Sequence, residues 1–289
     1  IALIGLEERS RRGIVDRGDL SRASPVHLTG AKAMLAMAVC VTPITLGFLI
    51  PVLTLLAYAV EDLSIITSDS FSKLVLNSMS LAVTAGIGVT LIAWVLASAK
   101  RLYPSPLNNS LIRISTIGYA LPGILLAVAL LKPVGILDHW LTQSWSDGPT
   151  VLLSGSVFML LYAYACRFLT VAFQSIESGF AGISNDIDAA AKTLGATTRS
   201  LIWRIHFPLL KPSVLAACLL VFVDVMRELP ATLILRPFNF DTLATQVYRL
   251  ASDERLAEAS SAAIFIVLMG VLPVIFLQRS ESSRTPVAN

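Results

Sequence analysis

The segment VFVDVMRELPATLIL places Asp224, Arg227 and Glu228 inside an otherwise apolar run, with Pro230 close behind. Ionisable side chains at membrane depth are expensive, and they face a bundle interior, a paired charge or an aqueous path. Asp224 precedes Arg227 and Glu228 by three and four positions, so on a helix the three share a face and Arg227 can pair with either carboxylate. Pro230 removes a backbone hydrogen bond and permits a kink. Two readings stand side by side: the wall or gate of a translocation path, or an internal ion pair that only fixes helix packing, with Arg167 as a further partner. Catalysis is poorly provided for. Ser154 and Ser156 flank Gly155, yet no His lies in a predicted span to act as base for an intramembrane protease. Cys40, Cys166 and Cys218 sit singly in apolar runs and read as small packing residues, while His27, His139 and His206 are too far apart to suggest a metal site.

A second stretch, DAAAKTLGATTRSLIWRIHFPLL from Asp188 to Leu210, is charged and helical in character between two apolar runs. Asn185 can cap a helix whose first turn holds Asp186 and Asp188, where the dipole favours negative charge. Ala189, Ala190 and Ala191 are strong helix formers, and Gly195 breaks the run. A second short helix beginning at Thr197 or Thr198 carries Leu201, Ile202 and Ile205 on one side; Pro208 is expected to stop it and Pro212 to open the next span. The loop, from about 174 to 212, is far longer than a simple connection. Two short helices meeting at a small-residue corner suit either a partner-docking element or a hairpin resting on the protein's own surface.

The elements that must position these residues follow from composition. Of 289 residues, 55% are hydrophobic and 14% charged, against about 25% charged in a soluble domain, and mean hydropathy is +0.74. A bilayer core about 30 Å thick needs roughly 20 apolar residues per helix. Six such runs occur, at about 33–60, 74–99, 114–131, 150–173, 213–235 and 259–277. Short alternating segments of a transmembrane barrel are not seen, so the expected fold is all-α and polytopic. Lys and Arg number 15 in the alternate loops that include both ends and five in the others, which predicts that both termini are cytoplasmic. The formal charge of +3 is then mostly topology, with no nucleic-acid partner implied. The opening IALIGL runs into EERSRRG, the reverse of a signal peptide's order. It reads as the end of a preceding membrane helix, with 1–32 as a cytoplasmic linker, 33–280 as a six-helix domain and 281–289 as a tail. No G-x-x-x-x-G-K-[ST] loop is present, so ATP-driven work would need another polypeptide.

The spacing of Ala190, Ala191, Gly195, Ile205 and Pro208 resembles the cytoplasmic signature of binding-protein-dependent ABC-transporter permeases, E-A-A, three residues, G, nine residues, I-x-L-P. Ala189 stands where the Glu belongs, with Asp188 just before it, and Phe207 replaces Leu; Asp188 or Asp186 can substitute for the missing acid. The resemblance implies a type I ABC importer permease fold, whose helices at about 185–207 dock into a cytoplasmic ATP-binding subunit that holds ATP and Mg. It also implies a periplasmic substrate-binding protein, a second permease half or homodimer partner, and an inner-membrane location surrounded by lipid. This chain itself is expected to be a transport subunit, without catalytic residues or a metal. The stretch from Arg227 through Ala259 resembles the ferric-iron permeases, often fused from two six-span halves, and so implies ferric iron as cargo; thiamine or an oxyanion, or an ATP-independent secondary transporter, are the alternatives. A ferric ion wants hard oxygen ligands, which Asp224 and Glu228 could offer against competition from Arg227. Leu243, Val247 and Leu250 recur at helical spacing in the 236–258 loop, which either helps receive the binding protein or lies as an amphipathic helix on the membrane.

Overall fold

The computed structural model describes residues 28–61, 68–143 and 153–282. The expected linker, up to residue 27, and the tail, from 283, lie outside the described residues. The described residues fall into two compact units, divided between Pro51 and Val52. In the first, α1 (Ala31–Ile44) contains Pro43 and passes into a π-helical turn (Thr45–Leu49), where the Thr45 hydroxyl donates to the Val41 carbonyl at 3.0 Å. The helix α2 (Ile50–Glu61) follows, and 31–60 forms the first of six candidate membrane spans.

The second unit is helical throughout, with no strand among the described residues. Its long elements are α3 (Asp69–Leu102), α4 (Pro106–Ser115), α5 (Gly123–Gln143) and α6 (Val157–Ala181). After the short α7 (Asn185–Thr193) and α8 (Thr198–Ser200) come α9 (Phe207–Met226), α10 (Pro230–Leu235), α11 (Leu243–Ser252) and α12 (Leu256–Ser282). The all-α, six-span expectation therefore holds, with spans at Ala31–Val60, Asp69–Leu102, Gly123–Thr142, Val157–Ala181, Thr198–Met226 and Leu256–Ile275.

Three span boundaries differ from expectation. The third moves from 114–131 to Gly123–Thr142, because α4 ends at Ser115 and a 3-10 turn (Gly118–Ala120) intervenes before α5. The fourth begins at Val157 rather than near 150: Gly155 has φ +75, and the Ser156 hydroxyl caps the helix by accepting from Met159 N at 3.2 Å. In the fifth, Pro208 does not stop a helix but stands in the first turn of α9, and Pro212 lies inside α9 instead of opening it. The backbone enters Pro208 through a π-helical turn (Leu201–His206), where Phe207 N–H reaches back to the Ile202 carbonyl; that wider turn accommodates a residue with no N–H to give.

Helices α3, α6 and α9 pack on one another, with α12 against α9 and α11, and α10 against α5 and α6. Lipid supplies no hydrophobic driving force between helices, so van der Waals contact and hydrogen bonds must do so, which favours small residues at the interfaces. The buried faces comply: Ala82, Ala85, Ala93 and Ala97 on α3, Ala163 and Ala172 on α6, Ala217 on α9. A Cβ on Gly86 would lie 3.1 Å from the Cys218 carbonyl, and one on Gly179 would overlap Ser213 and Leu210. Near Gly179 the Ser175 hydroxyl donates to the Ser213 carbonyl at 3.2 Å, tying α6 to α9. Gly179→Val should therefore cost about 1–3 kcal/mol through overpacking, read as a lowered melting temperature of the purified protein, whereas Gly47→Val, with open space around its Cβ, should change it far less.

Candidate functional site

The chain leaves α6 through a turn in which Ser184, rather than Asn185, caps α7. Its hydroxyl accepts from Asp186 N at 3.2 Å and donates to Asp186 Oδ2 at 2.8 Å. At the other end Gly195 adopts φ +80. Ala196 N–H bonds the Ala191 carbonyl and Gly195 N–H the Lys192 carbonyl, both at 3.0 Å, the paired bonds of a Schellman cap, which a glycine makes without strain. Thr197 then caps α8 by accepting from Ser200 N at 3.3 Å. The corner thus formed exposes Ala189, Ala190, Leu194 and Gly195, with Leu194 87% accessible, while Ala191 faces inward. Pro208 is exposed, and Ile205 and Phe207 are half-buried where the second arm joins α9.

Asp188 anchors this corner. Its Oδ2 accepts from Arg101 Nε at the end of α3, and its Oδ1 accepts from His206 Nε2, both at 2.8 Å. The same guanidinium donates to the carbonyls of Ile183 and Ser184 at 3.1 and 3.2 Å. His206 is fully buried and meets Phe180 edge-on at 5.2 Å; Trp94 stacks on Phe180 at 5.9 Å and meets Phe207 edge-on at 5.7 Å. Burial alone would push the Asp188 carboxyl up, but hydrogen bonds from His206 and Arg101, with the guanidinium charge, outweigh it and hold the carboxyl below its ordinary value of 3.8. Between the two acids that could stand in for the absent Glu, the geometry places Asp188 in the network and leaves Asp186 in the cap. Arg101 and His206 had no local signal: one looks like a topological charge, the other lies 18 residues from Asp188.

The second cluster surrounds the end of α9. The helix stops at Met226, with Arg227 at its C-cap (φ −101, ψ 1) and Pro230 opening α10, so Pro230 marks a break between two helices instead of a kink within one. The three charges consequently do not share a face. Arg227 pairs with Asp224, while Glu228 lies past the helix end and pairs with Arg167 of α6, Oε1 to Nη1 at 2.9 Å. Glu228 Oε1 also accepts from Ala231 N at 3.1 Å; the Glu228 carbonyl accepts from the Thr232 hydroxyl, which contacts the Tyr164 hydroxyl at 2.6 Å. Gly123, at the start of α5, makes room, since a Cβ there would overlap the Arg167 guanidinium. Side-chain exposure divides the four charges: Glu228 6%, Asp224 12%, Arg167 21% and Arg227 65%. Tyr164, Thr232 and Gly123 look like ordinary span residues in sequence, and only the returning α10 brings them together.

Two further features bear on the sequence expectations. The buried Asp138 carboxylate of α5 accepts from Leu153 N and Ser154 N, both at 2.7 Å, fastening the segment ahead of α6; the Ser156 hydroxyl donates to the Leu153 carbonyl at 2.7 Å while capping α6. In the 236–258 segment, Thr242 and Thr245 form a capping box for α11. Leu243 and Leu250 are buried and Val247 is packed on the core. Leu243 N donates to Ser78 Oγ at 2.7 Å and Asn77 Nδ2 to the Asp241 carbonyl at 3.0 Å, so α11 is bolted to α3. No cluster of three His, Cys, Asp or Glu that could hold a metal occurs among the described residues.

Breaking a buried pair leaves an unpaired charge, whereas replacing both members with apolar groups need not. Glu228→Ala should cost on the order of 3 kcal/mol, and Arg167→Leu with Glu228→Leu should restore most of it, as followed by thermal melting. Because the folded-state Asp188 value is depressed, its contribution is complete above the ordinary carboxylate value and is lost as pH falls through the lower folded one. Melting between about pH 3 and pH 6 should therefore fall more steeply for the natural protein than for Asp188→Asn.

Residues 89–285 match the model of the family described as binding-protein-dependent transport system inner membrane component, so the chain belongs to that family. The Fe(3+)-transport system permease protein FbpB 2 of Haemophilus influenzae is 26% identical over 233 residues, covering 80% of this chain and 44% of that protein. The putative 2-aminoethylphosphonate transport system permease protein PhnV of Salmonella typhimurium is 28% identical over 136 residues, covering 47% of this chain and 51% of that one. This chain thus spans about half the length of these curated relatives. Among solved structures, a bacterial ABC transporter that imports the acidic polysaccharide alginate gives a TM-score of 0.68 at 16% identity, covering 88% of this chain and 96% of that one. The MetNI methionine ABC transporter gives 0.55 at 13% identity, covering 76% and 100%. The fold is that of ABC importer permeases.

Proposed function

We propose that this family member is the transmembrane subunit, or one half of it, of an ATP-driven importer that carries ferric iron from a periplasmic binding protein to the cytoplasm by alternating access. One observation supports the reading most: the α7–α8 corner is exposed at Ala189, Ala190, Leu194 and Gly195, yet fastened through Asp188 to Arg101 of α3 and His206 at the entry to α9. A rigid knob transmits displacement where a slack loop would absorb it. The ATP-binding subunit would grip this corner from the cytoplasm and supply ATP and Mg, and the second permease half would complete the path. Both termini would then be cytoplasmic, the orientation that the distribution of Lys and Arg favours. The break between α9 and α10, with Asp224, Arg227, Glu228 and Pro230, would line the path.

Iron is supported by the ferric-transport names of relatives such as FbpB 2. The phosphonate-transport relative favours a second reading, an oxyanion cargo. Thiamine, or transport without ATP, would have to be revealed by assay. Gly195→Glu places a bulky acid at a left-handed position on the exposed corner; it should leave membrane insertion intact while abolishing cargo uptake and its coupling to ATP hydrolysis. Normal coupling in that variant, measured in vesicles holding the whole complex, would remove the docking role from the corner.

A further inference from the structure

We infer that the cargo passes the α9–α10 break as an anion and that Arg227 is the group that recognises it; this rests on the proposal that the break lines the path. The argument is one of which charges are available. Glu228 is 6% exposed, with Oε1 engaged by Arg167 and by Ala231 N–H. Asp224 is 12% exposed and paired with Arg227. Both carboxylates are thus largely buried with one oxygen each bonded to an arginine, while the guanidinium of Arg227, 65% exposed, is the charge most presented to solvent. It has five N–H donors, of which one is directed at Asp224.

An arginine so exposed where a membrane span ends, at the C-cap of α9, belongs against water or a partner charge and not against lipid. A bare trivalent cation arriving there would meet the exposed guanidinium ahead of two largely buried carboxylates, each already bonded to an arginine through one oxygen. A guanidinium instead suits the planar or tetrahedral oxygens of carboxylates, phosphates and phosphonates, which it grips with two parallel hydrogen bonds. If iron is carried, it travels within a complex whose oxygen ligands give it net negative charge. The neighbouring polar network serves that arrangement by positioning: Arg167 fixes the buried Glu228, and Gly123 provides the space.

The test uses the complete transporter, with second half, ATP-binding subunit and binding protein, reconstituted in lipid vesicles. Radiolabelled ferric iron is offered with labelled phosphate or labelled citrate, labelled methylphosphonate is offered alone, and a potential-sensitive dye reports the sign of charge moved. Anion label should enter with iron in constant ratio, or methylphosphonate should enter by itself, with net negative charge moving inward. Arg227→Gln should lower uptake by about tenfold or more, and Arg227→Lys by less, with the complex still assembled. Iron entering without its anion and carrying positive charge inward would overturn the inference, as would undiminished uptake by Arg227→Glu. Uptake by the unmodified complex that ignores ATP would instead overturn the importer reading, and the inference with it.

Discussion

Close backbone approach across α6 is the constraint on which the rest of this structure depends. In lipid, helices gain little by hiding apolar surface from one another, so they must approach closely enough for dispersion and hydrogen bonds to hold them. At Gly179 the backbone of α6 lies against Ser213 and Leu210 of α9, and at Cys166 the same helix is met by the backbone of Gly118. The Thr170 hydroxyl donates to the Thr116 carbonyl at 2.6 Å, securing the turn between α4 and α5 to α6. With α6 held on both sides, its polar residues point to fixed places.

Those polar residues form two networks at separate levels of the helix. Toward its end, Glu177 pairs with Lys100, next to the Arg101 that holds Asp188. Ten residues earlier Arg167 holds Glu228, and Tyr164 reaches Thr232. At 1.5 Å per residue the two levels are about 15 Å apart on one rigid helix. A push on the α7–α8 corner reaches α3 and α9 through Arg101 and His206, and α9 runs directly to the break where Glu228 is held. On the proposed function, this is a direct physical connection between an ATP-driven partner and the path.

The departures from expectation share a cause, which is that helix ends are decided by capping and by tertiary partners more than by hydropathy. Pro208 and Pro212 look like punctuation because a proline lacks an N–H; a π-helical turn ahead of Pro208 carries the helix through. Asp224, Arg227 and Glu228 look like one helix face, but the helix ends between Asp224 and Glu228, and the two carboxylates turn to different arginines. Ser184 outcompetes Asn185 as cap because its hydroxyl both accepts the Asp186 amide and donates to the Asp186 carboxylate.

The sequence by itself determined the all-α, six-span plan and the corner at Gly195, because hydropathy over about 20 residues and the demand of a left-handed turn for glycine are local properties. It also marked Asp188 or Asp186 as a substitute for the acid missing at Ala189, and Arg167 as a candidate partner for the charges of the expected fifth span. Only the tertiary structure decided which charges meet: Asp188 with Arg101 and His206, Glu228 with Arg167, and Arg227 with Asp224. The pairings of Asp188 and Glu228 join residues 18 to 87 positions apart, and they exist because small residues let α3, α6 and α9 come close enough for long side chains to bridge them.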